Sequence, residues 1–378
     1  MSFPGSPQLT CFRYGVFISE TFRCILVNFP TAFAVLSVYD KQTSDILAEL
    51  MRVLPGISVC WIITSMKREK SKMRVAITGG TGFVGSKLVE WLTANGHEAV
   101  VISRRAGVDI QNQATLSEAV RDCDAIAHCA GINREIGAQT YENVHVRGTS
   151  HIINAAKTMG VKKILMLSFL RARPECGSAY HESKWAAEEL IRESGLDYTI
   201  LKAGVIYGKG DHMLDHLSRA FHTFPIFGFV GYQAKLMRPV AVNDVVQIIK
   251  ASLVDDRLTR QTVVVTGPET LTLQQAVKKV AAVVGKRPFY FRMPVLFHYG
   301  LARVCEKVMK IPMIAKAQVR ILSESLIDSA TLCDKLPEDL VPEQSFTSEN
   351  IRTGLPPARG FGIGDLRNPC RSNAYAQV

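Results

Sequence analysis

The stretch that decides the fold is MRVAITGGTGFVGSKLVEWL, residues 73–92. The apolar run Met73–Thr78 predicts a buried strand, a glycine-rich turn follows, and the periodicity of Ser86–Asn95 predicts a helix. A second apolar run, Glu98–Ser103, predicts the next strand. Strand, helix and strand in this order form a βαβ unit, whose two strands pair in parallel.

The turn of this unit contains three glycines at a spacing of three residues, Gly79, Gly82 and Gly85. Gly79 and Gly80 permit the tight turn, Gly82 lets a pyrophosphate approach the backbone, and Gly85 lets the helix lie close to the strand. The amino terminus of the helix then offers free N–H groups to phosphate. We therefore predict a dinucleotide site formed by Gly79, Thr81, Gly82, Phe83, Val84 and Gly85.

The end of the second strand indicates which dinucleotide binds. It reads Ser103-Arg104-Arg105 and contains no acid. A carboxylate at this place accepts hydrogen bonds from the ribose 2′-OH of NAD, whereas arginine pairs with the 2′-phosphate of NADP. We predict NADP, held by these three residues, with NAD as the alternative.

Strands and helices alternate further along the chain. The pattern predicts strands at Asp124–Cys129, Lys163–Ser168 and Thr199–Lys202, and helices at Thr149–Thr158 and Lys184–Ser194. This alternation is typical of an α/β fold, a Rossmann-type doubly wound parallel sheet. The predicted segments are an N-terminal extension at 1–72, an NAD(P)-binding Rossmann domain at 73–210, the remaining Rossmann elements with a small α/β substrate lobe at 211–330, and an extended tail at 331–378.

Residues 1–72 show no steady helical or strand period. Their longest apolar stretch, Cys24–Tyr39, contains Asn28 and Pro30 and is shorter than the roughly 20 residues that span a bilayer. We interpret the segment either as a targeting or accessory extension or as sequence upstream of the true initiator. We favour the second interpretation, because Met73 stands directly before a strand that opens a complete domain.

The composition excludes several classes of protein. Of the 378 residues, 47% are hydrophobic, so the chain can form a large core and is not disordered as a whole. The formal net charge of +11 is not concentrated in a long basic run, so we predict no nucleic-acid partner. The nine cysteines are scattered without a CxxC pair, which argues against a zinc site or a disulfide scaffold and favours a cytoplasmic protein.

A tyrosine and a lysine stand four residues apart in Ser178-Ala179-Tyr180-His181-Glu182-Ser183-Lys184. On a helix this spacing directs both side chains to one face. An ammonium near a phenol favours the phenolate, so we expect Lys184 to lower the pKa of Tyr180 from about 10 and to make it a proton acceptor near neutral pH.

With these motifs the sequence resembles the short-chain dehydrogenase/reductase superfamily, in its extended and atypical branch of NAD-dependent epimerase/dehydratase-like proteins. It is similar in particular to the subgroup that contains the accessory subunit of respiratory complex I with this fold. Besides the glycine loop and YHESK, the resemblance rests on AHCAG at 127–131, VHVRGT at 144–149, LKAGVIYG at 201–208, RPVAVNDV at 238–245 and TGPETLT at 266–272.

The resemblance implies roles for several residues. Tyr180 is implied as the general acid/base, Lys184 as the group that lowers its pKa and holds the nicotinamide ribose, and Ser168 as the hydroxyl that polarises the substrate oxygen. Ala130 and Gly131 are implied as further cofactor contacts. The sequence departs from the family pattern at Ser168-Phe169-Leu170, at His145, where asparagine is usual, and at Ala203, where proline is usual.

We predict an NAD(P)-dependent oxidoreductase or epimerase/dehydratase-like enzyme that acts on a small-molecule substrate. The alternative is a non-catalytic NADP-binding structural or assembly protein of a larger complex. Residues 289–314 mix apolar and basic side chains; we expect them to pack within the second lobe, with a membrane surface or a partner complex as the alternative. An organellar location follows instead if residues 1–72 are a targeting segment. The sequence leaves the substrate and the oligomeric state open.

Overall fold

The computed structural model of the chain describes residues 26–27, 33–34, 72–310 and 312–366. The chain divides into a unit at Met1–Ser71 and a unit at Lys72–Val378. The described part of the first unit is an antiparallel pair of strands, β1 (Leu26–Val27) and β2 (Phe33–Ala34). The two interpretations of residues 1–72 otherwise concern residues outside the described ranges.

The elements of the second unit follow one another in the predicted alternation. Its strands are β3 (Arg74–Thr78), β4 (Glu98–Ile102), β5 (Ala125–His128), β6 (Lys163–Phe169), β7 (Asp197–Ala203), β8 (Ile206–Tyr207), β9 (Ile226–Val230), β10 (Leu236–Met237), β11 (Val240–Ala241), β12 (Gln261–Val265), β13 (Leu271–Thr272) and β14 (Phe289–Met293). Its α-helices are α1 (Phe83–Ala94), α2 (Gln113–Ala119), α3 (Gly148–Met159), α4 (Ala179–Glu193), α5 (His212–Thr223), α6 (Val242–Leu253), α7 (Leu273–Val284), α8 (Val295–Val308), α9 (Lys316–Leu322) and α10 (Ser348–Gly354).

Six of these strands form one parallel sheet in the order β12-β7-β6-β5-β3-β4. The sheet confirms the predicted Rossmann-type doubly wound fold. Its strand order changes direction between β3 and β5, and doubly wound folds bind their ligands beyond the carboxyl ends of the strands at such a point. The glycine loop follows β3 and AHCAG ends β5, so the topology brings these two motifs together.

Helices cover both faces of the sheet because its strands are almost continuous buried apolar runs. One face packs against α1 through Leu88 and against α6 through Val245. The other face packs against α2 through Leu116, α3 through Ile152 and α4 through Ala187. This packing holds the amino ends of α1 and α4 at the same edge of the sheet as the glycine loop.

A small lobe follows the sheet, formed by α5, α7 and short strand pairs. Strand β9 pairs with β14 in parallel, and β10 pairs with β13 in antiparallel orientation. The rings of Phe229 and Tyr290 stack across the first pair with their centroids 5.5 Å apart. Thr272 and Gln275 form a capping box that begins α7. These elements fall within the segment for which a small lobe was predicted.

The described part of the segment predicted as an extended tail, residues 331–366, contains a stretch that is packed onto the rest of the unit, so the prediction is wrong for that stretch. Residues 342–366 form a strap in which Phe346 and Ile351 are fully buried. Phe346 packs edge-on against Tyr207, with ring centroids 4.8 Å apart, and the Tyr207 hydroxyl donates to Ser345 O over 2.9 Å. The few apolar residues of a Pro- and Gly-rich segment thus suffice to anchor it.

The expectation for residues 289–314 is also only partly met. Helix α8 buries His298, Ala302 and Cys305, but its opposite side is exposed. The lobe is too small to cover the helix on both sides, so a largely apolar sequence here does not imply a buried one.

Candidate cofactor and active site

The backbone of the glycine loop lies so close to neighbouring backbone that Gly79 and Gly85 have no space for a side chain. Gly79 has φ +69°, a left-handed conformation, and a Cβ there would lie 2.9 Å from the Ala130 nitrogen. A Cβ on Gly85 would overlap the carbonyl group of Gly79. The Gly82 amide donates to Gly79 O over 2.8 Å and closes the turn. The backbone therefore requires glycine at both ends of the predicted motif.

The amino end of α1 directly follows this loop. Gly82 is its N-cap, no side chain accepts from the first-turn amides, and the first turn contains no acid. Thr81 is exposed at the turn, whereas Val84 is buried beneath it. First-turn amides have no acceptor within the helix, and phosphate oxygens satisfy them. The loop residues Gly79, Thr81, Gly82, Phe83, Val84 and Gly85 thus fit a pyrophosphate.

The predicted 2′-phosphate ligands lie at the end of β4, next to the loop. The Gly79 amide donates to Ile102 O over 2.9 Å, which joins the loop to this strand end. Ser103 caps the short turn Arg104–Ala106, since its hydroxyl accepts from the Ala106 amide over 3.2 Å. Both arginines of the turn are exposed. The turn itself therefore presents two arginines and contains no carboxylate.

The end of β5 brings Ala130 and Gly131 against the loop and against Lys184. The Ala130 amide donates to Thr78 Oγ1 over 3.3 Å. A Cβ on Gly131 would lie 3.0 Å from Lys184 Nζ, so the missing side chain leaves room for the ammonium. The structure thus assembles the predicted cofactor residues and Lys184 along one edge of the sheet.

Tyr180 is the second residue of α4 and is enclosed by aromatic rings. Tyr180 is only 7% exposed to solvent. The rings of Tyr141, His145, Phe169 and His181 surround it, with centroid distances between 5.5 and 5.8 Å. Burial raises the pKa of the Tyr180 phenol above its ordinary value of 10. In this enclosure the neutral phenol is the favoured form.

Lys184 lies one helical turn beyond Tyr180 and is also buried. Its ammonium donates to Leu167 O over 3.3 Å. Burial lowers the pKa of Lys184 to about 8, and the opposing influence of Glu188 is smaller. We expected this lysine to lower the pKa of Tyr180; in this structure desolvation of the phenol dominates instead, because the rings around it exclude water.

The Ser168 hydroxyl is hydrogen-bonded to Glu188 and, among the described residues, not to Tyr180. This serine hydroxyl donates to Glu188 Oε1 over 2.5 Å, on the side of β6 that faces α4. The next residue along β6, Phe169, is the one whose ring packs on Tyr180, with centroids 5.5 Å apart. In this structure the Ser168 hydroxyl is thus engaged by Glu188, and its implied role as the group that polarises a substrate oxygen stays a prediction.

Glu188, which receives this hydroxyl, is the centre of a buried network that sequence analysis missed. It pairs with Lys202 over 3.1 Å and with Arg192 over 2.9 Å. Lys202 also donates to Ala172 O over 2.9 Å. Glu188 lies eight residues after Tyr180 and four after Lys184, on the same stripe of the helix. This spacing is the signal by which the sequence could have revealed it.

His145, noted above as a departure from the family pattern, connects two parts of the site. Its Nε2 accepts from the Ile132 amide over 3.1 Å, so the ring proton is on Nδ1, which donates to Ser183 Oγ over 2.8 Å. Ser183 in turn donates to Tyr180 O over 3.0 Å. Burial holds the pKa of His145 well below 6.5. A neutral histidine thus ties the end of β5 to the first turn of α4.

Two further polar side chains near the end of β5 are packed in neutral states. His128 contacts Thr78 Oγ1 at 2.7 Å and Thr149 Oγ1 at 3.0 Å, and burial lowers its pKa to about 3. Burial raises the pKa of the Cys129 thiol to about 12. Neither is a proton donor or a nucleophile near neutral pH. Over the described ranges, no group of three or more His, Cys, Asp or Glu side chains is arranged to hold a metal ion.

Comparison with known families places these features in context. The model of the NAD dependent epimerase/dehydratase family matches residues 75–266. The matched span runs from the second residue of β3 to the residue after β12, so it contains all six strands of the sheet except Arg74, and every residue of the site.

Individual proteins show the same similarity. The NADH-ubiquinone oxidoreductase 40 kDa subunit of Neurospora crassa mitochondria is 23% identical over 270 residues, which are 71% of this chain and 66% of that subunit. A photosystem II assembly factor of Synechocystis is 30% identical over 151 residues, 36% of this chain and 46% of the factor. The chain thus spans less than two thirds of these relatives. The UDP-glucose 4-epimerase of Thermus thermophilus, solved with NAD, has a TM-score of 0.56 and 21% identity over 75% of this chain and 97% of its own; this likeness shows the fold.

Proposed function

This chain belongs to the NAD dependent epimerase/dehydratase family, and we propose that it binds NADP and acts as an oxidoreductase or epimerase/dehydratase-like enzyme on a small molecule. The observation that carries the proposal is the convergence of the glycine loop, the end of β5 and Lys184 at one sheet edge. Bound there, the nicotinamide supplies hydride transfer, the chemistry of this cofactor class.

The choice of NADP over NAD rests on the corner after β4. Arg104 and Arg105 are exposed there beside the glycine loop, and the turn has no carboxylate to accept from a ribose 2′-OH. Guanidinium groups form strong charge-assisted hydrogen bonds to phosphate. Ser103 is assigned to shaping the turn that presents them, because its hydroxyl already accepts from a turn amide.

We assign the proton transfer to Tyr180 and the hold on the nicotinamide ribose to Lys184. Burial alone raises the pKa of the phenol in this structure, and we propose that the protonated lysine opposes this effect in the working enzyme, since a nearby cation stabilises the phenolate. We assign Ser168 a positioning role through Glu188, which lies one turn beyond Lys184. The phenol then exchanges a proton with a substrate hydroxyl or carbonyl group, as general acid or base.

A specific observation favours a second candidate function, a non-catalytic NADP-binding protein within a larger complex. The aromatic enclosure of Tyr180 and the raised pKa of its phenol disfavour proton transfer in this conformation. Relatives of the chain include a respiratory-complex subunit and an assembly factor. In this case bound nucleotide stabilises the fold by mass action, and the protein surface binds a partner.

The experiment that tests the cofactor proposal is a fluorescence titration of the full chain with NADPH and with NADH. We expect tighter binding of NADPH. Replacing both arginines, Arg104→Ser with Arg105→Ser, is expected to weaken NADPH binding about tenfold or more and to leave NADH binding unchanged. Arg352→Ser, at an exposed arginine of α10, is the matched control. Equal loss for both nucleotides would contradict the assignment of these arginines.

Turnover separates the two candidate functions. We would follow NADPH consumption by the full chain with a panel of carbonyl compounds, comparing the wild type with Tyr180→Phe. The enzyme proposal expects the variant to lose turnover and to retain NADPH affinity, because the phenol oxygen is needed for the proton and not for the nucleotide. Turnover that survives in Tyr180→Phe would overturn it, and NADPH binding without turnover of any compound would favour the non-catalytic candidate.

The compartment is part of the proposal. In the portions of the chain that the structure describes, none of the helices combines the length and the apolar character needed to cross a bilayer. The Neurospora relative is a mitochondrial protein. We propose a cytoplasmic location, or an organellar one if residues 1–72 direct the protein there.

A further inference from the structure

The outer side of α8 exposes several large apolar side chains to solvent. Four apolar residues follow one another at intervals of four, three and four residues, a spacing that places them in one stripe along the helix. We call them the apolar stripe: Phe297, Leu301, Val304 and Val308. Their exposed fractions lie between 37% and 58%, and Leu296 beside them is 81% exposed. A contiguous exposed apolar patch of this kind marks an interaction site.

The inner side of α8 is fixed to the lobe, so the stripe is held outward. Ala302 packs with Val230 and Val319 in a small buried cluster. His298 is buried, with Nε2 3.4 Å from Gly228 O of β9. The helix therefore cannot turn its apolar stripe inward without breaking this packing.

The exposed charged residues of α8 and of the strand before it are basic. Arg303 and Lys307 of α8 are both exposed, and Lys307 flanks the stripe. The only acid in the helix sequence, Glu306, lies on the other side and accepts from the Lys316 amide over 2.8 Å. Lys286, Arg287 and Arg292 are exposed before and within β14. An exposed apolar stripe on a helix whose exposed charged residues are both cations is complementary to a surface that is apolar inside and anionic outside.

Neighbouring strands add apolar exposure. Phe289 of β14 and Ile226 of β9 are paired in register and are both more than half exposed. They lie on the two-stranded sheet whose β9 residue Gly228 contacts His298. The sheet that supports α8 thus carries exposed apolar side chains of its own.

We propose that the α8 side of the lobe docks on an anionic lipid surface, with α8 lying in the plane of the headgroups. The helix has 14 residues and a length of about 21 Å, which suits a position along a membrane surface. A second copy of the chain is a poorer occupant, because two-fold pairing presents the same basic residues to each other. The inference is independent of the proposed cofactor and substrate.

The test is flotation of the full chain with vesicles of phosphatidylcholine alone and of phosphatidylcholine with 30% phosphatidylserine, a fraction chosen as about that of an anionic leaflet. Leu301→Glu with Val304→Glu places carboxylates in the apolar stripe, and Arg303→Gln with Lys307→Gln removes two cations. Leu332→Glu, at a fully exposed leucine, and Lys157→Gln with Lys162→Gln, at exposed lysines, are the matched controls.

We expect the wild type to float with the anionic vesicles, less so at high salt, and to bind phosphatidylcholine at least tenfold more weakly. Both α8 variants are expected to lose at least tenfold in binding and the controls less than twofold. Circular dichroism and thermal melting verify that the variants are folded, since all the replaced side chains are exposed.

Three outcomes overturn the proposal. The first is a wild type that floats with neither kind of vesicle. The second is an α8 variant that floats as well as the wild type, because another surface then carries the binding. The third is a wild-type dimer in sedimentation velocity that Leu301→Glu with Val304→Glu converts to a monomer, because the stripe then contacts a second copy.

Discussion

Glu188 shows how single side chains support the site from behind. It has no exposed surface and accepts from Ser168, Lys202 and Arg192. Lys202 is equally buried, and burial lowers the pKa of its ammonium, an effect that the Glu188 carboxylate opposes. A buried ion pair of this kind contributes little net stability while intact, but removing one partner leaves the other uncompensated.

We expect Glu188→Gln to lower the free energy of unfolding by about 3 kcal/mol, because Lys202 then keeps a charge in the core without a counterion. Urea unfolding monitored by circular dichroism measures the change. Glu189→Gln is the matched control, since the Glu189 carboxylate is half-exposed and forms an ion pair with Arg192. A loss for Glu188→Gln no larger than that of the control would show that the network relaxes around the vacancy.

Lys184 gives the chain a pH-dependent stability in the absence of nucleotide. Its pKa is about 8 in the folded protein, against an ordinary value of 10.5 for a lysine in water, so the unfolded chain holds the proton between these two pH values. Stability from this group therefore rises between pH 8 and 10.5, and the cost of its buried charge is complete below pH 8.

The variant Lys184→Met removes this dependence. Relative to the wild type, its free energy of unfolding is expected to fall by about 1 to 2 kcal/mol between pH 8 and 9.5, because only the wild type gains stability there. Urea unfolding at several pH values gives the difference, and Lys157→Met, at an exposed lysine, serves as the control. A difference that stays constant over this range would place the pKa of Lys184 elsewhere.

Among the elements, the glycine loop and α8 provide a matched pair of glycines. Gly85 has no space for a methyl group, whereas an added Cβ on Gly300, in the middle of α8, meets nothing within 4 Å. Gly300 is also not one of the glycines of the described ranges that have a positive φ. The same substitution therefore tests local geometry in two opposite environments.

We expect Gly85→Ala to weaken NADPH binding at least tenfold, because the loop must move away from the Gly79 carbonyl. Gly300→Ala is expected to raise the free energy of unfolding by about 0.5 to 1 kcal/mol through its better helix propensity. Fluorescence titration and urea unfolding measure both variants. The glycine-loop assignment fails if Gly85→Ala binds NADPH as the wild type does while remaining folded.

The strap, residues 342–366, makes a prediction of its own. Phe346→Ala is expected to cost about 3 to 5 kcal/mol, because a fully buried aromatic ring leaves a cavity against Tyr207. Leu332→Ala, at a fully exposed leucine, is expected to change stability by less than about 0.5 kcal/mol. Thermal and urea unfolding test both. A loss near 1 kcal/mol for Phe346→Ala would mean that the strap is bound only loosely.

For the whole molecule, the sequence predicted what local pattern determines. The strands of the parallel sheet are buried apolar runs, and the observed strands agree with the predicted ones within two residues at each end. The glycine loop and YHESK were recognisable because their chemistry depends on spacing within a few residues. Both motifs lie where the predicted fold requires them.

Features that depend on distant partners were not predictable in this way. The direction of the Ser168 hydroxyl is decided by Glu188 on α4, and the enclosure of Tyr180 by Tyr141 and Phe169 from two other elements. The burial of Phe346 depends on Tyr207, far away in the chain. The content of prolines and glycines led to the prediction of an extended tail, because composition does not show that the Phe346 ring packs against Tyr207.

The strap has a consequence for how the protein is made. Tyr207 leaves the ribosome long before the ring that covers it, Phe346, has been synthesised. Until then the emerging chain presents an apolar pocket to its surroundings, and domains that fold during translation are prone to association through such surfaces. Chaperone binding to this protein on the ribosome is therefore expected to last until the strap has emerged.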